Sequence, residues 1–287
     1  MATENITTSK DLIAQSIDFT EQFTGSISTL LQVLNVTRMQ PMAVGSQIKI
    51  YKSEVTKADG NVAEGEVIPL SKVTRKLADT KELAYKKYRK QTTAEAIQAS
   101  GFNAAVNDTD AKLLRSIQGD IKKDFFDFVQ TGTTKTSGDT FQKAIAQALG
   151  QLAIKWEDDD VQSVLFANPL DFYTYLGNSD ITTQTAFGLT YIQNYLGFNT
   201  IILTGSVKQG TIAVTASQNL NYAYAALTGN LNQAFSLTTD ETGLIGVVHN
   251  PVTENASYET MALTSGVLFP ERLDGIIVGT IDAAPLK

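Results

Sequence analysis

The feature that most restricts the fold is an amphipathic stripe in the middle of the chain. Leu114, Ile117, Ile121, Phe125 and Phe128 follow at steps of three and four, the spacing that lines one side of an α-helix. Asn107 or Asp108 offers an N-cap, so a helix is expected from Thr109 to Gln130. At about 1.5 Å per residue it would be roughly 33 Å long, the longest element the sequence offers. One apolar side of that length needs a broad surface to cover it, which a chain of 287 residues can supply. The hydrophobic fraction of 43% and charged fraction of 18% fit a globular core and not a disordered chain.

Before this helix, residues Ser9 to Leu34 carry Leu12, Ile13 and Ile17, then Ile27, Leu30, Leu31 and Leu34, interrupted near Thr24 and Gly25. That spacing predicts two short amphipathic helices. Gln47 to Val55 alternates as an outgoing strand, and ADGNVAEGE supplies a loop tip through Asp59, Gly60 and Asn61. The chain returns after Pro69 through SKVTRKLADTKELAYKKYRK, with eight cations from Lys72 to Lys90 against Asp79 and Glu82. This local charge of +6 leaves −13 for the remaining chain, given a net charge of −7. The outcome is a long hairpin with one basic leg. A short helix from Thr93 to Ala99 is stopped by Gly101.

TGTTKTSGDT, residues 131–140, separates the long helix from a second compositional region. That region opens with a helix bearing Phe141, Ile145, Leu149 and Leu152, then the strand VQSVLFA, a helix started by Asn168 and Pro169, and strands at Thr200 to Leu203 and Thr211 to Thr215. This is an α/β order. The last forty residues alternate as strands through Ser257, Glu259, Met261 and Leu263 and end on IIVGTI from Ile276. With no helix near them in sequence, their expected partner is the long helix, which makes the second region an insertion.

The acidic net charge argues against a general nucleic-acid binder, which needs cations to displace phosphate counterions. With no cysteine, disulfides and thiolate metal sites are excluded. MATENITTSKDL has no basic stretch before an apolar segment, so no secretory signal is expected. No apolar run approaches the ~20 residues of a membrane helix, and no membrane partner is expected. The sequons at Asn5, Asn35, Asn107 and Asn255 are read as chance matches in a chain rich in Asn and Thr.

His249 is the sole histidine, so a multi-histidine metal site is excluded and a catalytic triad would have to use that one ring. Glu157, Asp158, Asp159 and Asp160 lack the periodic ligand spacing of a calcium loop and read as a solvated connection. GSVKQGT, from Gly205 to Thr211, lacks the closing GK[ST] of a phosphate loop and reads as a turn. No catalytic, cofactor or metal residue is assigned. For the basic leg the favoured reading is contact with an acidic face of another copy of this chain, ahead of a solvated strand face and a nucleic-acid strip.

Helical arm, charged hairpin, long helix, inserted α/β region and returning strands, in that order, resemble the shell fold of tailed-phage major capsid proteins and encapsulins. VQSVLFANPLDFYTYLG is similar to that family's strand, Asn-Pro and helix unit, and YLGFNTIILTGSVKQGTIAVT to the strand pair after it. YETMALTSGVLFPERLDGIIVGTI resembles the C-terminal return, and FTEQFTGSISTLLQVLNVTRM the arms of capsids from phages of Gram-positive hosts. The resemblance implies an α+β phage capsid shell fold: an N-terminal arm at 1–40, an extended β-hairpin loop at 41–91, a peripheral domain with a long spine helix at 92–135 and 246–287, and an inserted axial α/β domain at 136–245.

It further implies a structural protein, not an enzyme, whose hexamers and pentamers close an icosahedral virion shell around double-stranded DNA in the host cytoplasm. A separate scaffolding protein or none is expected, since the arm begins almost at Met1; the resemblance adds portal and any decoration proteins as partners, and no cofactor is expected. Asp59, Gly60, Lys72, Arg75 and Lys76 are the expected inter-subunit contacts. The rivals are an encapsulin compartment holding a cargo enzyme and a carboxylate-dependent hydrolase using Glu157 to Asp160.

Overall fold

The computed structural model describes residues 28–157, 160–177, 191–195, 197–227, 230–240 and 242–282. Of the two helices expected between Ser9 and Leu34, the first lies outside these residues, and the second is α1 (Ser28–Asn35). It buries Leu30 and Val33. β1 (Arg38–Met42) follows, then β2 (Gln47–Thr56) and β3 (Lys72–Glu82), which pair antiparallel as a hairpin. The basic leg is not one strand: it breaks at the fully buried Leu83 and resumes as β4 (Lys86–Thr93) in a different sheet.

α2 (Ala94–Phe102) is capped by Thr93, whose hydroxyl accepts the Ala96 N–H at 3.3 Å. Gly101 breaks its last turn at φ 78°, a left-handed value that glycine takes without Cβ strain. One π-helical turn, Asn103–Asn107, runs directly into α3 (Asp108–Gln130). Neither expected N-cap therefore acts. Asn107 is itself helical, and its amide donates to Asn103 Oδ1 at 3.0 Å. A helix that continues from a preceding turn has no free first-turn N–H groups for a cap to satisfy.

The second region runs β5 (Thr134–Gly138), α4 (Phe141–Lys155), β6 (Ser163–Ala167), α5 (Pro169–Gly177), β7 (Tyr191–Tyr195), β8 (Phe198–Leu203) and β9 (Thr211–Ala216). The chain then forms β10 (Leu220–Ala225), α6 (Asn230–Phe235), β11 (Thr238–Thr239), β12 (Ile245–Val252), β13 (Ser257–Thr264), β14 (Gly266–Pro270) and β15 (Ile276–Ile281). Among the described residues these strands build four sheets, ordered β1-β10-β14, β11-β12-β13-β4, β5-β15-β9-β6-β8-β7 and β2-β3.

The six-stranded sheet is covered on both faces, which is why β6 reads as an unbroken apolar run and not as an alternation. Val164, Phe166, Ile202, Ala213 and Ile276 join one core, built with Ile117, Ile121, Phe125, Phe126 and Val129 of α3. Leu165, Ala167, Ile201, Leu203, Val214 and Ile277 join a second core with Phe141, Ile145, Ala148 and Leu152 of α4. The stripe read from the sequence thus meets its cover, and Leu244 just before β12, with Ile245, Val247, Ala262 and Leu268 of the C-terminal strands, shares that core. β15 serves both cores, because neighbours Ile276 and Ile277 point to opposite faces.

β8 and β9 flank β6 instead of pairing with each other: β6 runs parallel to β8 and antiparallel to β9. GSVKQGT is the turn between them. Asn168 holds it, donating from Nδ2 to Val207 O at 2.8 Å while its Oδ1 accepts the Leu170 N–H at 2.9 Å and caps α5. In the three-stranded sheet Tyr222 lies against Gly266, where a Cβ would sit 1.8 Å from its hydroxyl. Burial, with the Asp124 charge adding, pushes the Tyr222 phenol well above its ordinary pKa, so it stays neutral there.

Candidate self-association surface

The β2–β3 hairpin leaves the body at a clamp. Gly45 N–H donates to Leu83 O at 2.8 Å and Leu83 N–H to Ser46 O at 3.1 Å, while Ile50 and Leu83 are buried at its root. Beyond Ile50 the register shifts, with Ile50 opposite Asp79 and Tyr51 opposite Leu77. A bulge of this kind bends and twists a ribbon. From there out to Thr56↔Lys72 the strands leave the core, and the tip, residues 57–71, is almost wholly exposed.

Pairing sorts the outer stem into two faces. Lys52, Glu54 and Thr56 share one with Lys76, Thr74 and Lys72. Lys76 Nζ reaches Glu54 Oε2 at 2.8 Å across the strands. The hydrogen bond from Lys76 and then its charge hold the Glu54 carboxyl below the ordinary value. Tyr51, Ser53 and Val55 share the other face with Leu77, Arg75 and Val73. The Arg75 guanidinium lies 5.3 Å from the centre of the Tyr51 ring, close enough for a cation–π contact.

The five residues singled out in the sequence therefore fall in three places. Asp59 and Gly60 sit at the exposed tip, where Asp59 Oδ1 accepts the Asn61 N–H at 3.0 Å and makes the expected turn. Lys72 and Lys76 lie on the charged face and Arg75 on the opposite one. Sequence reasoning missed the apolar groups around them. Val55, Val73 and Leu77 are exposed on the stem, and Val67, Ile68 and Leu70 are 93%, 74% and 95% exposed at the tip. The signal was present as a two-residue alternation through Tyr51, Ser53 and Val55 and through Val73, Arg75 and Leu77.

The inner part of the basic leg is used within the chain. Lys86 Nζ pairs with Asp124 Oδ2 at 2.6 Å, Lys90 Nζ with Asp110 Oδ1 at 2.5 Å, and Arg89 Nε with Glu259 Oε2 at 3.2 Å. The Asp124 hydrogen bond raises the Lys86 pKa. Two of these cations fasten β4 to α3 and the third fastens it to β13. The hairpin strands keep six cations against Glu54, Asp79 and Glu82, so a smaller part of the basic run faces outward than its composition implies.

The enzyme-like candidates assemble no reaction centre among the described residues. His249 Nε2 lies 2.8 Å from Asp110 Oδ2, stacks on Tyr258 and lines a pocket of about 340 Å³ with Phe235, Ser236, Thr238 and Asn250. Of the acidic run, Asp158 and Asp159 lie outside the described residues, and Glu157 and Asp160 are exposed. Among the described residues no group of three His, Cys, Asp or Glu side chains could hold a metal ion. None of the helices there is long and apolar enough to cross a membrane.

No protein-family model matches the sequence, and no curated protein matches it either. Solved structures do. The capsid of an empty GTA particle is similar over 99% of this chain and 95% of that one, with TM-score 0.63 and 10% identity. A chain of Mycobacterium phage Patience is similar over 99% and 94%, with TM-score 0.60 and 11% identity. The SrpI encapsulin of Synechococcus elongatus is similar over 88% and 87%, with TM-score 0.57 and 10% identity. At these identities the likeness is one of fold, and it spans nearly the whole chain: this protein has the mixed α+β shell fold shared by phage capsid proteins and encapsulins.

Proposed function

We propose that this chain is a shell-forming structural protein, the major capsid protein of a tailed phage, and that it does no chemistry of its own. The observation that carries the reading is a capsid-type fold with an exposed hairpin standing off its core. Hexamers and pentamers would close an icosahedral virion shell around double-stranded DNA held without sequence specificity, assembled in the host cytoplasm with separate scaffolding, portal and decoration proteins. In this reading 1–40 is the arm, 41–91 the extended loop, 92–135 with 246–287 the peripheral domain and 136–245 the axial domain. Many weak contacts per subunit make such a container stable through multivalency. The acidic remainder of the chain limits adhesion of its walls to a packaged polyanion.

Likeness to an encapsulin makes a cargo-holding compartment the second reading. The test is negative-stain electron microscopy with sizing chromatography on the protein expressed alone and with its neighbouring genes. Closed particles or rings are expected, with nuclease-protected DNA inside them; protein cargo would favour the compartment, and a uniform monomer under both conditions would remove both readings.

Asp59, Gly60, Lys72, Arg75 and Lys76 are proposed as inter-subunit contacts. Reversing Arg75→Glu and Lys76→Glu together is expected to cut particle yield at least several-fold. Stability should move by no more than about 1 kcal/mol, because exposed charges add little to folding but can set association register. Equal loss of thermal stability and assembly would show that the residues act in the fold.

A further inference from the structure

We propose that Asp59–Gly60, at the tip of the hairpin, is a site of spontaneous backbone modification, where the aspartyl residue converts through a cyclic imide to isoaspartyl. The same dipeptide at Asp274–Gly275 is held by the fold and stays intact. These are the two Asp–Gly pairs of the sequence, which contains no Asn–Gly. A glycine after the aspartate favours the reaction, because no Cβ blocks the approach of its nitrogen and its backbone turns freely.

The conversion needs only water. Gly60 N attacks Asp59 Cγ, a C–N bond forms, and the side-chain hydroxyl leaves as water with the amide proton. A second water then opens the imide. Where it breaks the bond between that nitrogen and the main-chain carbonyl of Asp59, the chain runs on through Cβ and Cγ and the free carboxylate sits on Cα. The tip gains one backbone atom and loses the side-chain acceptor that orders its turn.

What separates the two pairs is their surroundings. Asp59 and Gly60 are exposed, and a Cβ on Gly60 would meet nothing within 4 Å. Asp59 Oδ1 accepts the Asn61 N–H at 3.0 Å, which folds the carboxyl over the next peptide, keeps Cγ close to the Gly60 nitrogen and polarises it for attack. No hydrogen bond among the described residues occupies the Gly60 N–H. Asp274–Gly275 is tied down instead. The Gly275 N–H donates to Arg272 O at 3.1 Å, its carbonyl accepts from Thr215 Oγ1 at 2.8 Å, and a Cβ there would sit 2.7 Å from Asn219 Nδ2. Lys155 Nζ holds Asp274 Oδ2 at 2.8 Å. That hydrogen bond, and then the lysine charge, keep the Asp274 carboxyl below its ordinary pKa, so the oxygen that would have to leave stays anionic.

The test incubates the folded protein, and the protein unfolded in guanidinium, in heavy-oxygen water and follows both dipeptides by peptide mapping. Methyl transfer from labelled S-adenosylmethionine by an isoaspartyl methyltransferase counts the product independently. In the folded protein isoaspartyl at residue 59 is expected to form at least about tenfold faster than at residue 274, and in the unfolded chain the two rates should agree within about twofold. Gly60 lacks a left-handed φ, so Gly60→Ala keeps the fold, and its Cβ should slow the reaction at residue 59 by at least about tenfold. Equal rates at the two sites of the folded protein, faster reaction at residue 274, or a Gly60→Ala variant that isomerises like the wild type would each overturn the assignment. The subunit suffices for every measurement, so the result is independent of shell formation.

Discussion

Deleting Ala58–Gly65 is expected to leave a folded subunit that no longer closes into shells. The deleted residues include no buried side chain, and the cores lie on α3, α4 and the six-stranded sheet. The three hydrogen bonds that order the tip, from Asn61 N–H to Asp59, from Ala58 N–H to Ser71 Oγ at 3.1 Å and from Glu66 N–H to Ala63 O at 3.1 Å, lie at the surface and are weak. Seven residues would still join β2 to β3, more than a hairpin requires. The melting temperature should therefore move by no more than about 2–4 °C, the shift of ~1 kcal/mol in a chain of this size.

Reach is what the deletion removes. A tip of fifteen residues folded back on itself extends at most ~25 Å, and one of seven about 12 Å, at 3.3–3.6 Å per residue. Each contact weakened tenfold costs about 1.4 kcal/mol, and a closed shell repeats that loss at every subunit. Particle yield by sedimentation and microscopy should fall at least tenfold. Normal shells from this variant would show that the tip has no part in assembly.

The largest effect on folding is expected from Phe166→Ala. Phe166 is fully buried on β6, with ring centres 5.6 Å from Phe125 and 5.9 Å from Phe126 in edge-on contacts. It is where the six-stranded sheet meets α3, so the cavity would open between two rigid elements that cannot collapse onto it. Losses of about 3–5 kcal/mol are typical, a large share of the ~5–15 kcal/mol that holds a domain together. A fall of roughly 10 °C in melting temperature by calorimetry is the expected result. Phe102→Ala is the control: that ring is 47% exposed and touches Tyr258 at the surface, and its removal should cost about 1 kcal/mol or less. Equal effects from the two would mean that α3 is not seated on the sheet as described.

Elements whose pattern is local were legible. The α3 stripe, the β2–β3 hairpin with its Asp59 turn, the Asn168 cap and the GSVKQGT turn all follow from spacing and turn chemistry within a few residues. The α3 N-terminus was misread because Asn107 is a good cap by residue type, whereas Gly101 and the π-helical turn deliver the chain already helical. The candidate surface was half legible. Its cations stood out in composition, but which were spent inside the fold did not, because Asp110, Asp124 and Glu259 lie 20 or more residues from Lys90, Lys86 and Arg89 in sequence.

What the sequence determined by itself is the order of the strongly patterned parts, since helix and strand periodicities and turn residues act over one or two turns of chain; β1, β10 and β5, the last inside the stretch 131–140 read as a separator, were not read as strands. Only the tertiary structure decided that β6 separates β8 from β9, that β15 serves two cores, and that the basic leg divides between an internal clamp and an outward ribbon. Strand order and ion pairing are settled by which surfaces can be buried together, and that free energy belongs to residues far apart in the chain.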